Sequence, residues 1–255
     1  MQLIDTHAHL FLDDFADDID QVVRRSMSNG IDKIVLPNID SKSIGPLHEL
    51  SEKYPQFMVP LMGLHPTHVK DDYRSELGII LDQLEKYPYK AIGEIGIDLY
   101  WDKSFLEQQI EVFEQQLDAA LLFSLPVIIH ARDSFNEILN SIRKLKYKGV
   151  TGIFHAYTGT ADLAREITSK GFLIGIGGIL TFKNAHLSEV VNEIDIKHIV
   201  LETDSPYLAP VPYRGKRNES SYLIHIVEKL AEIKGLTIEE AGNITSQNAM
   251  KLFNI

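Results

Sequence analysis

The sequence predicts one (β/α)8 barrel domain spanning residues 1–255, with one extra helix at its C-terminal end. Short apolar runs rich in β-branched residues alternate about eight times with amphipathic stretches. Such alternation is typical of a parallel sheet, and runs that are apolar almost throughout indicate strands buried on both faces. A length of 255 residues suits a single barrel. A doubly wound open sheet is the competing architecture.

The elements follow one another in a regular order along the chain. The predicted strands are the apolar runs Leu3–His9, Lys33–Pro37, Phe57–Leu64, Ala91–Ile97, Pro126–His130, Val150–His155, Phe172–Ile176 and His198–Leu201. The amphipathic segments between them predict helices over Asp14–Ser28, Ser43–Lys53, Ser75–Lys86, Ser104–Phe123, Ser134–Leu145, Thr160–Ser169 and Leu187–Glu193. The tail predicts two more, Tyr222–Lys234 as the eighth barrel helix and Ile238–Phe253 as the extra one.

Composition limits the function classes. The chain has no cysteine, which excludes disulfides and thiolate metal sites, so any metal must use nitrogen and oxygen ligands. No signal peptide is visible, and no apolar run approaches the roughly 20 residues that span a bilayer. We therefore expect a cytoplasmic protein without membrane contact, and no stable protein partner can be deduced. The net charge of −11 argues against long-range attraction to a nucleic-acid backbone, although a local basic patch can hold a phosphate.

Histidines and carboxylates gather at the C-terminal ends of the predicted strands. His7 and His9 are two residues apart on a strand, so they lie on the same face. Such a pair is weak evidence of a metal site until other ligands join it. The carboxyl ends of barrel strands converge on one face, where the catalytic residues of this fold lie. The polar residues at those ends are His7, His9, His65, His68, Glu94, His130, His155 and Asp204.

Four imidazoles and two carboxylates among them predict a site for two divalent metal ions. The proposed ligands are His7, His9, Glu94, His130, His155 and Asp204. Six candidates exceed the three protein ligands of a single catalytic zinc and suit a pair of metals bridged by a carboxylate. We assign His7, His9, Glu94 and Asp204 to one metal, and Glu94, His130 and His155 to the other.

Glu94 is the expected bridge because its strand lies between those that carry the two histidine groups. It sits among Ile92, Gly93, Ile95 and Gly96, where a charge is costly unless it is paired or metal-bound. Glu94 is therefore predicted to be functional.

Asp204 has two predicted tasks, to ligate a metal and to take a proton from the attacking water. The alternative for Asp204 is a structural role in a turn or as a helix N-cap, because Thr203 and Ser205 flank it just before Pro206. Glu202 is a candidate for orienting a ligand imidazole. Asp5 fits either that task or a strand-end hydrogen bond.

Four further residues are predicted to contact the substrate. Arg214 and Arg217 belong to the densest basic stretch, and loops after the last barrel strands commonly hold phosphate. The alternative for this loop is a solvated charge run that packs against Glu219. Arg132 follows His130 by two residues and can clamp a phosphate or pair with a carboxylate. His65 is predicted to contact phosphate or to protonate the leaving oxygen.

Three residues near these have less specific interpretations. His68 is expected to be an exposed loop residue. Tyr100 and Trp101 follow the fourth strand and either stack on a base or cap the barrel rim, with the rim favoured.

Six motifs in order resemble those of the TatD-type metal-dependent deoxyribonucleases of the amidohydrolase superfamily. They are Asp5-Thr6-His7-Ala8-His9, Gly63-Leu64-His65-Pro66, Gly93-Glu94-Ile95-Gly96-Ile97-Asp98, Pro126-Val127-Ile128-Ile129-His130-Ala131-Arg132, Glu202-Thr203-Asp204-Ser205-Pro206-Tyr207-Leu208 and Pro212-Tyr213-Arg214-Gly215-Lys216-Arg217-Asn218-Glu219. The resemblance covers essentially the whole chain, and the metal positions of that family correspond to the six ligands proposed above. One departure is Ala156-Tyr157-Thr158-Gly159, where the family often has Cys-Phe-Ser-Gly.

This resemblance implies a magnesium-assisted nuclease with 3′→5′ exonuclease action on DNA, single strands especially. Zinc, manganese and nickel also suit the ligands. One alternative is a hydrolase of the same fold acting on an amide, a small phosphoester or an aminoacyl ester, because an activated water attacks carbon as well as phosphorus. Another is a non-catalytic binding barrel, which would normally have lost a ligand.

Overall fold

A computed structural model describes residues 2–183 and 185–255 of the chain. Within them the strands are β1 (Leu3–Asp5), β2 (Ile31–Leu36), β3 (Met58–Pro60), β4 (Ile92–Asp98), β5 (Val127–Arg132), β6 (Gly152–Phe154), β7 (Leu173–Ile176) and β8 (Ile199–Leu201). The α-helices are α1 (Ile19–Ser28), α2 (Ile44–Lys53), α3 (Tyr73–Lys86), α4 (Leu106–Phe123), α5 (Phe135–Ile142), α6 (Ala161–Ser169), α7 (Leu187–Glu193), α8 (Leu223–Lys234) and α9 (Ile238–Phe253). The predicted alternation of strands and helices is confirmed.

The strands run parallel in sequential order and close into a ring. One ladder joins β1, β2 and β3, and a second joins β4 to β8. Bridges between Met62 and Ile92 and between Ala8 and Ser205 connect the two ladders on both sides. An open doubly wound sheet reverses its strand order at a switch point and leaves two free edges. The chain is therefore a (β/α)8 barrel.

The C-terminal helix α9 covers the amino-terminal end of the barrel. Phe253 packs into a small buried cluster with strand residues such as Ile4, Ile128 and Val200. Asn248 donates a hydrogen bond of 3.0 Å to the carbonyl of Ile196, just before β8. It donates another of 2.8 Å to the carbonyl of Ile199, the first residue of β8. A capping box formed by Thr237 and Glu240 starts the helix. The extra helix predicted from the tail thus closes one end of the barrel and leaves the carboxyl end open.

The strands β1, β3 and β6 are much shorter than predicted, and β6 covers Gly152–Phe154 where Val150–His155 was predicted. β1 ends at Asp5, after which Thr6 donates its backbone N–H to Leu201 across the barrel closure at 3.0 Å. β3 likewise ends at Pro60 rather than Leu64. The predicted first helix starts later, at Ile19, after a 3-10 turn over Asp13–Phe15. None of the helices in the described part of the chain has the length and apolarity to cross a membrane.

Candidate metal centre

The join between β1 and β8 brings the first histidines to the last carboxylate. The backbone N–H of Asp204 donates to the carbonyl of His7 at 2.8 Å, and that of His9 donates to Ser205 at 2.7 Å. Asp5 accepts from the N–H and hydroxyl of Thr203, at 2.9 and 2.6 Å. Of its two interpretations, Asp5 makes the strand-end hydrogen bond. It fixes the segment that carries Asp204 beside the histidine pair.

Glu94 projects from β4 into the same place and is almost fully buried, at 1% exposure. Its Oε2 lies 3.1 Å from His7 Nε2 and 3.4 Å from His9 Nε2. The two Nε2 atoms are 3.1 Å apart, and Asp204 Oδ1 lies 3.8 and 3.7 Å from them. Two imidazole nitrogens and two carboxylate oxygens thus converge around one point, as metal ligands do.

The other oxygen of Glu94 faces a second group of imidazoles. Oε1 lies 2.7 Å from His155 Nε2, 2.9 Å from His130 Nδ1 and 3.2 Å from His65 Nε2. His130 Nδ1 and His155 Nε2 are 3.2 Å apart. His65 therefore belongs to this group, although it lies slightly farther from Glu94 than the two histidines predicted to be ligands. Its Nδ1 pairs with the hydroxyl of Thr67 at 2.7 Å, which fixes the ring.

A glycine allows β4 and β5 to approach closely enough for this geometry. Gly96 pairs in register with His130 and has a φ of +145°, where side chains are disfavoured. A Cβ there would lie 2.0 Å from the carbonyl oxygen of His130. Any larger residue would push apart the strands that carry Glu94 and His130.

Asp98 is a site residue that sequence reasoning did not assign. Its Oδ2 lies 2.9 Å from His130 Nε2, so it orients the ring whose Nδ1 faces Glu94. A signal was present, because Asp98 follows Glu94 by four residues on one strand and so shares its face. Glu202, which was predicted to orient an imidazole, lies 3.6 Å from His155 Nδ1 and accepts from the N–H of Ala156 at 2.5 Å.

The electrostatics of the cluster suit a cation. Burial raises the pKa of Glu94, but the imidazoles of His155, His65 and His7 outweigh it and hold that pKa well below its usual range. Burial lowers the pKa of His7 far below its usual range and that of His65 to about 4. Burial alone would lower the pKa values of His130 and His155, but the carboxylates of Asp98, Glu94 and Glu202 outweigh it and raise both. The carboxylates of the cluster thus favour positive charge beside them, which a divalent metal ion supplies when the imidazoles are neutral ligands.

Asp204 differs from Glu94 in its proton affinity. Burial raises the pKa of Asp204 to about 6, with His155 and His9 acting in the opposite direction. Its φ of +56° lies in the left-handed region, which Asp tolerates better than most residues. A carboxylate of this kind accepts a proton near neutral pH, as a general base must.

The cluster forms the floor of an open cavity of about 690 Å³. Its lining residues are His9, Ile39, His65, Thr67, His68, Glu94, Asp98, Trp101, His130, Ala131, Arg132, His155, Ala156, Thr158, Ile179, Asp204, Tyr207 and Leu208. The structure thus brings His65 and Arg132 together with the predicted ligands. His68 is half exposed and lies near Asp40, at 3.6 Å.

Arg214 and Arg217 are not among the residues that line this cavity. Arg217 forms two hydrogen bonds of 2.8 Å with the carboxylate of Asp18, just before α1. The guanidinium of Arg214 lies 4.5 Å from the ring centroid of Phe182. Glu219 is paired with Arg25 of α1 rather than with the basic loop. The predicted phosphate contacts of Arg214 and Arg217 stay a prediction, with Arg217 already paired.

Comparisons with known proteins agree on one family. The model of that family, "TatD related DNase", matches residues 4–254. An uncharacterized metal-dependent hydrolase of Bacillus subtilis, YabD, is 39% identical over 254 residues, 99% of each chain. The crystal structure of YjjV, a TatD homolog of Escherichia coli, superposes with a TM-score of 0.93 at 26% identity, covering 99% of this chain and 98% of that one. A hydrolase of the TatD family from Entamoeba histolytica gives 0.86 at 26% identity, with 99% and 98% covered.

Proposed function

Because the chain belongs to the TatD-related DNase family, we propose that this metal-dependent hydrolase cleaves phosphodiester bonds of DNA, from the 3′ end of single strands. One observation carries the proposal. The two oxygens of Glu94 face two imidazole groups, at 3.1 and 3.4 Å on one side and 2.7 to 3.2 Å on the other. The groups meet where the rings of His7 and His155 stack, with centroids 3.9 Å apart. A carboxylate shared in this way is the arrangement that bridges paired metals in phosphoester-cleaving sites.

The proposed cofactors are two divalent ions. His7, His9, Asp204 and Glu94 Oε2 would hold the first, and His130, His155 and Glu94 Oε1 the second. His65 lies close enough to Glu94 and His130 to join the second, and His155 lies close enough to His7 and Asp204 to reach the first. When bound, such ions lower the pKa of water and neutralise phosphate charge. We propose magnesium as the activating ion from the family resemblance. Zinc, manganese and nickel are the other candidates, since imidazole ligands suit them.

Residues of the chain supply the remaining steps. Asp204, with its pKa raised by burial, accepts the proton of the attacking water. Arg132 lies on the cavity wall and binds a non-bridging phosphate oxygen. His65 is neutral at pH 7, which supports a hydrogen bond or metal ligation more than protonation of the leaving oxygen.

Charge and shape favour the end of a strand over the length of a duplex. The net charge of −11 gives no general attraction to a polyanion. A cavity of about 690 Å³ matches the size of sites that enclose a small ligand. A chain end fits such a cavity, whereas tracking along a duplex needs an extended basic face.

The test is digestion of end-labelled single-stranded DNA by protein reconstituted separately with magnesium, manganese, zinc or nickel. We expect stepwise release of mononucleotides from the 3′ end, and no release by the Glu94→Gln variant. A parallel panel contains an amide, a small phosphoester and an aminoacyl ester. If one of these compounds is hydrolysed while DNA stays uncleaved, the nuclease proposal is overturned in favour of a related hydrolase.

A further inference from the structure

Two aromatic side chains stand exposed at the mouth of the cavity. Tyr100 and Trp101 follow β4 and are 55% and 71% exposed. Trp101 also lines the cavity whose floor is the cluster of histidine and carboxylate side chains. A tryptophan that capped the barrel rim would bury most of its ring against the core. The structure therefore disfavours the rim-capping interpretation of this pair.

A cation lies beside these rings. The guanidinium carbon of Arg132 lies 3.8 Å from the ring centroid of Tyr100 and 5.4 Å from that of Trp101. No ion pair with a carboxylate within 4.0 Å involves Arg132 among residues 2–183 and 185–255. Tyr100 and Trp101 meet edge to face, with centroids 4.9 Å apart. Tyr100 thus supports the guanidinium, while most of the Trp101 ring stays open to solvent.

Asp98 fixes this aromatic loop relative to the metal centre. Its Oδ1 accepts the backbone N–H groups of Tyr100 and Trp101, at 3.0 and 3.3 Å. Its Oδ2 lies 2.9 Å from the ring of His130. One carboxylate therefore holds the loop with one oxygen and a candidate metal ligand with the other. The position of the rings is set by the same residue that sets the position of His130.

We propose that Trp101, Tyr100 and Arg132 form a platform that receives one nucleobase next to the bond that is cleaved. The indole face stacks on the base, and the guanidinium binds the adjacent phosphate. A base inside a duplex already stacks on its neighbours, so only an unstacked base can occupy the platform. The proposal rests on the proposed nuclease function and adds to it a binding position for one base beside the scissile phosphate.

The single tryptophan of the chain makes the platform directly observable. Intrinsic fluorescence is recorded while the magnesium-loaded protein is titrated with a short thymidine oligonucleotide whose phosphorothioate linkages resist cleavage. An abasic strand of equal length and inorganic phosphate are titrated in parallel. We expect saturable quenching by the thymidine strand alone. Equal quenching and affinity with the abasic strand would overturn the platform, since base stacking would then contribute nothing.

Variants separate the ring from its surroundings. Trp101→Leu should weaken binding of a labelled strand by about 5- to 100-fold, the range of one base–aromatic stack, while Trp101→Phe retains most of the affinity. Tyr87→Leu is the matched control, because Tyr87 is an aromatic residue 46% exposed that does not line this cavity. Unchanged binding by Trp101→Leu would contradict the proposal.

The outcomes for platform and nuclease are distinct. Base-dependent binding without cleavage supports the platform and overturns the nuclease. Cleavage together with equal binding of the thymidine and abasic strands supports the nuclease and overturns the platform. If neither strand binds and none is cleaved, both are overturned.

Discussion

Two clusters of charged and polar side chains in this molecule are built differently. In the metal centre, Glu94 and Asp204 stand among imidazoles, and no arginine or lysine pairs with either carboxylate within the described residues. In the cluster beside α1, which we call the arginine network, Arg25 pairs with Glu219 at 2.8 and 2.6 Å, and Arg217 with Asp18 at 2.8 Å twice. The arginine network balances its own charge. Among residues 2–183 and 185–255, the candidate metal centre has no arginine or lysine for this task, which falls to its imidazoles when protonated or to a bound cation.

Unpartnered atoms show the same contrast. Among the described residues, the buried side-chain polar atoms without a hydrogen-bond partner are His7 Nδ1, His9 Nδ1, His155 Nδ1, Glu202 Oε2 and Ser220 Oγ. Four of these five belong to the metal centre or to the glutamate beside it, and none to the four charged residues of the arginine network. Buried polar atoms without partners destabilise a fold. The comparison teaches that carboxylates with protein cations hold the fold together, whereas those without them are available to a ligand.

The strongest way to break this comparison is to remove the bridging charge. Glu94→Gln keeps the size of the side chain but lowers its affinity for cations on both sides. We expect DNA cleavage to fall by about a thousandfold or more, with loss of bound metal measured by elemental analysis. The metal-free variant should unfold at a urea concentration no lower than the metal-free parent. A variant that keeps both metals and full activity would refute the bridge.

Asp98→Asn tests how the ring of the candidate ligand His130 is held in place, rather than the charge of the ligands themselves. The amide keeps a hydrogen-bonding oxygen but no longer fixes the His130 ring as a carboxylate does. Loss of such a partner typically costs 10- to 100-fold in metal affinity or activity. We expect that loss in a metal titration monitored by cleavage rate. An additional rise in the KM for single strands would show that the aromatic loop has moved as well.

Removing a charge from the arginine network should lower the stability of the fold and leave the activity of folded molecules unchanged. Glu219→Gln removes the closer of two carboxylate partners of Arg25 and leaves the other, Asp18, at 3.3 Å. The partial exposure of Arg25 also allows water to screen its charge. We expect the free energy of unfolding in urea to fall by about 1–3 kcal/mol, with cleavage per folded molecule unchanged. Glu228→Gln, in an exposed pair with His225, is the control and should have little effect. A large loss of specific activity in Glu219→Gln would mean that the two clusters are coupled.

The smallest expected effect is the pH dependence of Asp18. The hydrogen bonds from Arg217 lower the pKa of Asp18 in the folded state. Its contribution to stability is therefore present above the unfolded pKa of about 4 and is lost as the pH falls through the lowered folded value. We expect Asp18→Asn to unfold more easily than the parent by less than about 1 kcal/mol at neutral pH, and equally at strongly acid pH. Unfolding curves at both pH values measure the difference, and a gap that widened on acidification would contradict this origin.

The sequence predicted what depends on local periodicity, and missed what depends on distant pairing. The two-residue spacing predicted that His7 lies beside His9, although both follow β1 and only Ala8 between them forms a β-bridge. The barrel rule predicted that they lie near Glu94 and Asp204. The partner of Arg217 is Asp18, 199 residues away in the chain, and no local pattern indicates that pair. The dual contact of Asp98 depends on the path of the loop after β4, which hydrophobic periodicity does not describe. The placement of His65 beside Glu94 follows from where β3 ends, and element ends are poorly specified by sequence.

The closure of the barrel between β1 and β8 has a consequence for biosynthesis. The hydroxyl of Thr6 donates to the carbonyl of Leu201 at 3.0 Å, across 195 positions of the chain, and Asp204 meets His7 at the same join. The histidine pair leaves the ribosome well before its carboxylate partner Asp204, which lies almost 200 positions further along the chain. A nascent chain therefore carries an incomplete binding site until the segment with Asp204 has been made. Ions captured early would be held weakly and exchanged freely, so the metal content of the protein should be set after translation ends.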